Sequence, residues 1–542
     1  MSMRALIAAA AVTVMIGVSL VGVAGRPPGN IDDAFILMVY VRHLSESGGF
    51  FWNVEDGAVD GFTSVLDLLA KTVASKLFPG DTFRVMWGTT LAFHALSILL
   101  ICACALHLRT FLTGVWQRRL VFAFPVAWAL HPSLAEGTAY VLETPLYASC
   151  LIASTMLALF APPRSPSIWL VSTGWILLSL ARPEGIVIVP VLAAGYAAIH
   201  FRTASWHFIT KPLGLWLTAM GGYFVWHWLT FGYWAPNTYY AKRSDTRLTE
   251  VIDGLSYVYA FAEKPEGVIL LLSGLVAPVL YTFCPTRSAL WRWRLLTSTF
   301  ATWAALLAVI AGGGDCYAGS RFLTGLAALI VVTLLVASTA LKKPWNSIPL
   351  ALGVVLAIAS SHAYGERARK SAYHARHEWP LSSQAESFAC KRQVAEWFLK
   401  TGFRQVGESD FQMLKVFADN LQVKDLHGLS DRHIAHIPWP QQNLWGKFNF
   451  KSTVELDLEA VVLGFRLFSS VDPTGMTLEE FRASPEAQIA IIGFEQMDRR
   501  VEIDAFVKRY RLARVPICEG FNFFVRDDRV HLASAGGAKI GP

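Results

Sequence analysis

The chain has 542 residues, of which 54% are hydrophobic and only 16% charged, with a formal net charge of +7 and a mean hydropathy of +0.41. Soluble globular domains carry about 25% charged residues, so the composition excludes an ordinary soluble protein and indicates an integral membrane protein. The positive balance needs no nucleic acid to explain it, because much of it sits in short loops between apolar segments, where basic residues set membrane orientation.

Residues 5–24 form an unbroken apolar run after Arg4. Its length suits a spanning helix of ~20 residues better than a cleaved signal peptide ending near Val23-Ala24-Gly25. Either reading places residues 26–84 outside the cytoplasm. Further apolar segments fall at 85–108, 119–134, 138–161, 167–181, 185–200, 212–231, 267–284, 295–312, 322–341 and 346–363. Together they predict about 11 transmembrane helices.

With the N-terminus inside and the spans alternating, the cytoplasmic loops hold Arg109, Arg118, Arg119, Arg164, Arg202, Lys211, Arg287, Arg292, Arg294, Lys342 and Lys343, and no Asp or Glu. The opposite side holds Asp32, Asp33, Glu46, Glu136, Glu143, Glu184, Asp245 and Asp315. This is the positive-inside pattern, and it places residues 364–542 outside. That tail is rich in Arg, Glu, Gln and His. Glu386–Lys400 reads as an amphipathic helix, and 422–426, 460–463 and 521–525 read as strands. The expected fold class is an α-helical polytopic membrane protein, with a transmembrane domain at 1–363 and a periplasmic α/β domain at 364–542. Cys390 and Cys518, both in that outer region, are a candidate disulfide.

Five polar clusters lie at helix ends on the outer side. The first opens with Asp32-Asp33 and continues through Trp52-Asn53 to Asp60-Gly61-Phe62-Thr63-Ser64. Adjacent acids repel, so the pair calls for a cation, a hydrogen-bonding partner or a catalytic job. The others are Leu142-Glu143-Thr144-Pro145, Arg182-Pro183-Glu184-Gly185, Tyr233 through Lys242, and Gly312-Gly313-Gly314-Asp315 with Arg321-Phe322. Each alone reads as a turn, a cap or an interface anchor. Their gathering on one face is the signal, because independent turns distribute over both. Carboxylates can act as general base toward a sugar hydroxyl. Arg and Lys can hold and neutralise a phosphate leaving group. In a membrane, that phosphate is expected on a lipid.

The ordered set Asp32-Asp33-Ala34-Phe35-Ile36, Gly48-Gly49-Phe50-Phe51-Trp52-Asn53, Asp60-Gly61-Phe62-Thr63-Ser64, Leu142-Glu143-Thr144-Pro145-Leu146, Arg182-Pro183-Glu184-Gly185, Pro236-Asn237-Thr238-Tyr239-Tyr240-Ala241-Lys242 and Gly313-Gly314-Asp315 with Arg321-Phe322 resembles the GT-C-fold, polyprenyl-phosphate-dependent membrane glycosyltransferases, most of all the mycobacterial-type terminal arabinofuranosyltransferases. The resemblance covers roughly residues 5–340. It implies an inverting enzyme of the bacterial cytoplasmic membrane, with its active site and tail facing the periplasm. Such an enzyme moves a sugar, arabinofuranose or a related one, from a polyprenyl-phosphate donor to a cell-wall or surface glycan. Asp32 or Asp33 is the implied catalytic base. A divalent cation (Mg, Mn or Ca) at Asp32 and Asp33 is the one cofactor considered. Arg182, Lys242 and Arg321 are the donor-phosphate candidates. Glu143, Glu184, Asn237, Tyr240 and Asp315 are the sugar or acceptor candidates. Two departures bear on the donor-sugar surface. Tyr140-Val141-Leu142-Glu143 stands where such enzymes often have Ser-Gly-Leu-Glu, and Asp60-Gly61 where they often have Glu-Gly or Glu-Ala.

His427, His433 and His436 are spaced too loosely for a metal site and read as structural or surface residues. Trp439, Trp445 and Phe448 read as core aromatics before sugar-stacking platforms. The rival class is a non-enzymatic membrane protein, such as a lipid-linked sugar flippase or an envelope scaffold. A flippase needs ionisable residues along a path through the bilayer, and apart from His94 and the boundary residue Glu143 the spans have almost none.

Overall fold

The structure, a computed structural model, describes residues 13–20, 32–201, 205–243, 246–315, 321–377, 381–408, 413–437, 450–462, 505–506, 508–517 and 521–541. The chain divides into two compact units. A helical unit takes in Met1–Pro28, Ser64–Trp234 and Ser244–Arg376. A sheet-bearing unit takes in Gly29–Thr63, Ala235–Arg243 and His377–Pro542. The segments 29–63 and 235–243, both read from sequence as parts of the membrane domain, thus group with the tail.

In the helical unit the apolar segments become helices with bounds close to those expected. Thr82–Arg109, Ala289–Ala311, Leu323–Ala340 and Ser347–Arg367 are long and apolar enough to cross a membrane. Thr144–Phe160, Ser165–Ala181 and Glu184–His200 are shorter apolar helices of 17 residues each. Trp206–Phe231 and Pro265–Phe283 match two more, and of the first expected segment, 5–24, only the helical stretch 13–20 lies within the described residues. The segment at 119–134 departs from expectation. It is broken into Val115–Leu120 and Ala123–Ala129, and the chain restarts as Pro132–Ala139. Pro125 lies in the first turn of its helix, where a missing N–H is tolerated. Pro132 forces His131 into an extended conformation (φ −70°, ψ 121°).

Leu323–Ala340 has no charged residue and is buried along its whole length, as expected for a helix that is hydrophobic all round. Its residues share one hydrophobic core with Ile98, Leu151, Trp175, Leu192 and Leu295 from five other helices. Arg367 ties three helices at one end of this unit, through Glu136 (2.7 Å) and Glu266 (2.9 Å).

The sheet-bearing unit holds a mixed six-stranded sheet among the described residues, of β1 (Gln405–Glu408), β2 (Gln422–Asp425), β3 (Ala460–Val462), β4 (Tyr510–Val515), β5 (Phe521–Arg526) and β6 (Lys539–Ile540), in the order β2-β1-β3-β5-β4-β6. β1 runs parallel to β2 and β3, and the remaining pairs are antiparallel. All six residues of β5 are buried, so both faces of the sheet are covered there. The amphipathic helix runs over Leu381–Lys400 and delivers Val394 and Phe398 to a core with Phe403, Val406, Val423 and Phe523. Cys390 is disulfide-bonded. Cys518, Trp439, Trp445 and Phe448 lie outside the described residues.

The segment from Arg42 to Asn53 builds directly on this sheet. The Trp52 indole N–H donates to the Val423 carbonyl (2.8 Å). The Asn53 amide donates to the same carbonyl (2.9 Å) and accepts from the Val423 N–H (3.1 Å), pairing with the free edge of β2. Asp419 accepts from His43 (3.0 Å) and pairs with Arg42 (3.0 Å). Burial alone would raise the Asp419 carboxyl, but His43, Arg42 and Lys415 outweigh it and hold it well below the usual range.

Candidate functional site

In the helical unit the chain turns sharply between Ser165–Ala181 and Glu184–His200. Arg182 is extended (φ −159°, ψ 149°), as the residue before a proline prefers. A Cβ on Gly185 would lie 2.4 Å from the Leu178 carbonyl oxygen, so only glycine lets the corner close this tightly. The result is a guanidinium that is buried, at 4% exposure, yet fully partnered. Arg182 Nε and Nη2 grip Glu184 (3.1 and 2.9 Å), and Nη1 bonds Glu143. Burial works against the Arg182 charge, but Glu184 and Glu143 outweigh it and hold the group above its ordinary value.

A second arginine meets the same place. The chain leaves Ala289–Ala311 through Gly313 (φ 80°) and Gly314 (φ 75°), left-handed positions that suit glycine at a helix end. Asp315 follows and is held by Arg321 through Nε and Nη2. Phe322 then lies with the Arg182 guanidinium 4.4 Å from its ring centroid and the Arg321 guanidinium 5.3 Å away. The Phe322 N–H donates to the Tyr257 hydroxyl (3.2 Å). Five of the expected residues, Glu143, Arg182, Glu184, Asp315 and Arg321, are thereby gathered around one aromatic ring.

The Glu143 corner contains a feature that sequence reading did not single out. Pro132–Ala139 ends in a Schellman arrangement. The Leu142 N–H bonds the Gly137 carbonyl (2.9 Å), and the Val141 N–H bonds that of Thr138 (3.1 Å). This motif needs a left-handed residue, normally glycine, at the position of Val141. Val141 adopts it with φ 59°, at a cost of about 1–3 kcal/mol for a β-branched side chain. Where the enzymes that the sequence resembles often have glycine, this chain therefore places the strained residue of the corner. The Val141 carbonyl accepts from Lys71 Nζ (2.8 Å), which also pairs with Asp67 (2.6 Å). Lys71 is fully buried. Burial raises the Asp67 carboxyl against the pull of Lys71. The signal in the sequence was an Asp-Lys pair at i,i+4 in the amphipathic run that Ser64 caps.

The remaining expected residues belong to the sheet-bearing unit. Asp33 is half-buried in the first turn of the helix Asp32–Glu46, where the helix dipole favours a carboxylate. The Asp32 side chain lies outside the described part. Asn237 is buried. Its N–H donates to Asp60 (3.1 Å), and its amide donates to the carbonyls of Gly428 (2.8 Å) and Leu429 (3.0 Å). A Cβ on Gly61, beside Asp60, would meet the Tyr40 hydroxyl at 2.9 Å. Tyr240 lies 4.4 Å from His436, ring to ring. His436 Nδ1 donates to the Arg432 carbonyl (2.8 Å), which gives this histidine a structural place. Lys242 is half-buried in the short helix Asn237–Lys242. Among the described residues no group of three or more His, Cys, Asp or Glu side chains has an arrangement able to hold a metal ion.

No protein-family model matches the chain, and no curated protein matches it. Solved structures that resemble it include two of ArnT from Cupriavidus metallidurans. The apo form aligns with a TM-score of 0.51 at 12% identity, covering 95% of this chain and 98% of ArnT. The form bound to undecaprenyl phosphate aligns with a TM-score of 0.49 at 13% identity, covering 78% and 85%. The apo alignment, spanning nearly the whole of both chains, shows that this chain shares the fold of ArnT, with four helices among the described residues that are long and apolar enough to cross a membrane.

Proposed function

We propose that the protein is an inverting glycosyltransferase. It moves a sugar, arabinofuranose or a close relative, from a polyprenyl-phosphate donor to a cell-wall or surface glycan on the outer face of the cytoplasmic membrane. The observation that carries this reading is the convergence of Arg182 and Arg321 on Phe322 at the ends of apolar helices. Two buried guanidiniums beside hydrocarbon suit a phosphate that arrives on a lipid. The local charge is two cations against the carboxylates of Glu143, Glu184 and Asp315. A phosphate therefore enters by exchanging with a carboxylate, and an arginine fork fits either partner.

In this reading Asp33 or Asp32 takes the proton of the acceptor hydroxyl as that oxygen attacks the anomeric carbon. The bond to the phosphate oxygen breaks on the opposite face, which inverts the configuration. Arg182, Arg321 and Lys242 stabilise the negative charge that develops on the leaving prenyl phosphate. Glu143, Glu184 and Asp315, released from their arginines, are placed to accept hydrogen bonds from sugar hydroxyls. Tyr240 offers a ring and a phenol to the acceptor, and Asn237 holds the 428–429 loop on which that side is built. Asp32 and Asp33 are the residues that would hold a divalent cation. No step is routed through one.

Binding of undecaprenyl phosphate to the purified protein, read by native mass spectrometry, tests the lipid reading. Wild type is expected to retain the lipid, and Arg321→Lys, which keeps the charge but loses the fork, to bind it about tenfold more weakly. Equal binding by the two proteins, or none by wild type, contradicts the reading.

A further inference from the structure

We infer that Lys71 and Asp67 are positioning residues that hold Glu143 against Arg182 by fixing the backbone of Val141. The inference rests on the phosphate-site reading above. Its basis is a chain of contacts within the helical unit. Ser64 caps the helix Val65–Leu77 by accepting from the Asp67 N–H (3.1 Å). One turn on, Lys71 is buried on the same helix and directs one N–H to Asp67 (2.6 Å) and another to the Val141 carbonyl (2.8 Å). Val141 is one of only two non-glycine residues with positive φ among the described residues. Such a conformation persists only where its surroundings over-determine it.

Two residues further, Glu143 precedes the helix Thr144–Phe160 and bonds Arg182. The corner is also clamped from behind, because a Cβ on Gly137 would meet Thr144 at 2.8 Å. A relaxed Val141 would rotate the peptide planes on either side and carry Glu143 away from Arg182. Lys71 therefore acts on the site through the backbone and touches no ligand itself. Its charge is needed because a buried ammonium bridges a carboxylate and a carbonyl more firmly than a neutral donor does.

The test uses the full chain and three proteins: wild type, Asp67→Asn with Lys71→Met, and that double variant with Val141→Gly added. Removing both charges together avoids leaving either one buried and alone. Glycine takes positive φ without penalty, so it makes the lysine dispensable if the lysine serves only to hold that backbone. Undecaprenyl phosphate binding is expected to weaken about tenfold in the double variant and to return to within about threefold of wild type when glycine is added. Amide hydrogen exchange at residues 138–147 is expected to accelerate and then recover in the same order.

Unchanged binding in the double variant overturns the inference. So does a loss that glycine fails to restore, which would mean that Lys71 acts on the lipid by its charge. Exchange decides separately from binding. If wild type does not bind the probe, the lipid reading fails, and the positioning of the corner still stands or falls on whether exchange at 138–147 speeds up and is rescued.

Discussion

The Arg182 guanidinium lies over the ring of Phe322, 4.4 Å from its centroid, and the Arg321 guanidinium approaches the same ring to 5.3 Å. Like charges brought this near need compensation, and it comes from the π face together with Glu143, Glu184 and Asp315. Phe322→Leu keeps most of the apolar volume and removes the face. Each cation–π contact in a desolvated setting contributes about 0.5–2 kcal/mol, so this variant is expected to melt at a lower temperature in detergent and to bind undecaprenyl phosphate more weakly. A melting temperature and affinity equal to wild type would show that the ring is packing alone.

Arg182 joins two carboxylates. Arg182→Met leaves the half-buried carboxylates of Glu143 and Glu184 without their arginine, a change expected to cost less than the roughly 3–5 kcal/mol of a fully buried pair. Adding Glu143→Gln and Glu184→Gln removes the stranded charges, and the triple variant is expected to recover most of the lost stability in thermal melts without regaining phosphate binding. Recovery of both properties would exclude Arg182 from the phosphate site.

Asn237→Ala separates holding from binding. Its amide donates to the Gly428 and Leu429 carbonyls, both from a buried position, and unmet buried acceptors cost about 1–3 kcal/mol. The variant is expected to lose stability and to become cleavable near residue 428 in limited proteolysis. An unaltered digestion pattern would contradict the assignment of Asn237 to that loop.

Asp253 gives a pH signature. Burial and the neighbouring Glu250 raise its carboxyl to about 6, above its unfolded value of about 3.9. The folded state therefore binds the proton more tightly than the unfolded state. The stability this contributes is fully present below the unfolded value and is lost as pH rises through about 6. Wild type is expected to lose melting temperature between about pH 4 and 6 relative to Asp253→Asn, which lacks the titration. Parallel pH profiles would contradict it.

What the sequence made legible, and what it hid, follows from the range of the interactions. Helices such as Thr82–Arg109 and Leu323–Ala340 were readable because apolar length alone defines them, and Gln422–Asp425 and Phe521–Arg526 because β-type composition marks them. The corners at Arg182 and at Gly313–Asp315 were readable because Pro and Gly punctuate the chain locally. The break in 119–134 was overlooked because hydropathy averages over Pro125 and Pro132. The Lys71 contact to Val141 spans 70 residues, and a left-handed valine carries no compositional mark. The grouping of Gly29–Thr63 with the tail depends on contacts such as Trp52 to Val423, separated by 371 positions, which no local pattern encodes.

The central claim is transfer from a polyprenyl-phosphate sugar with an outer-face aspartate as base. The most direct test is release of polyprenyl phosphate from a polyprenyl-phosphoryl arabinofuranose donor by the purified membrane protein given a glycan acceptor, for wild type, Asp32→Asn and Asp33→Asn. The account predicts release by wild type and its loss in at least one single variant whose melting temperature is unchanged. Full release in both variants would contradict the base assignment, and no release by wild type from this or any other prenyl-phosphate sugar would contradict glycosyl transfer itself.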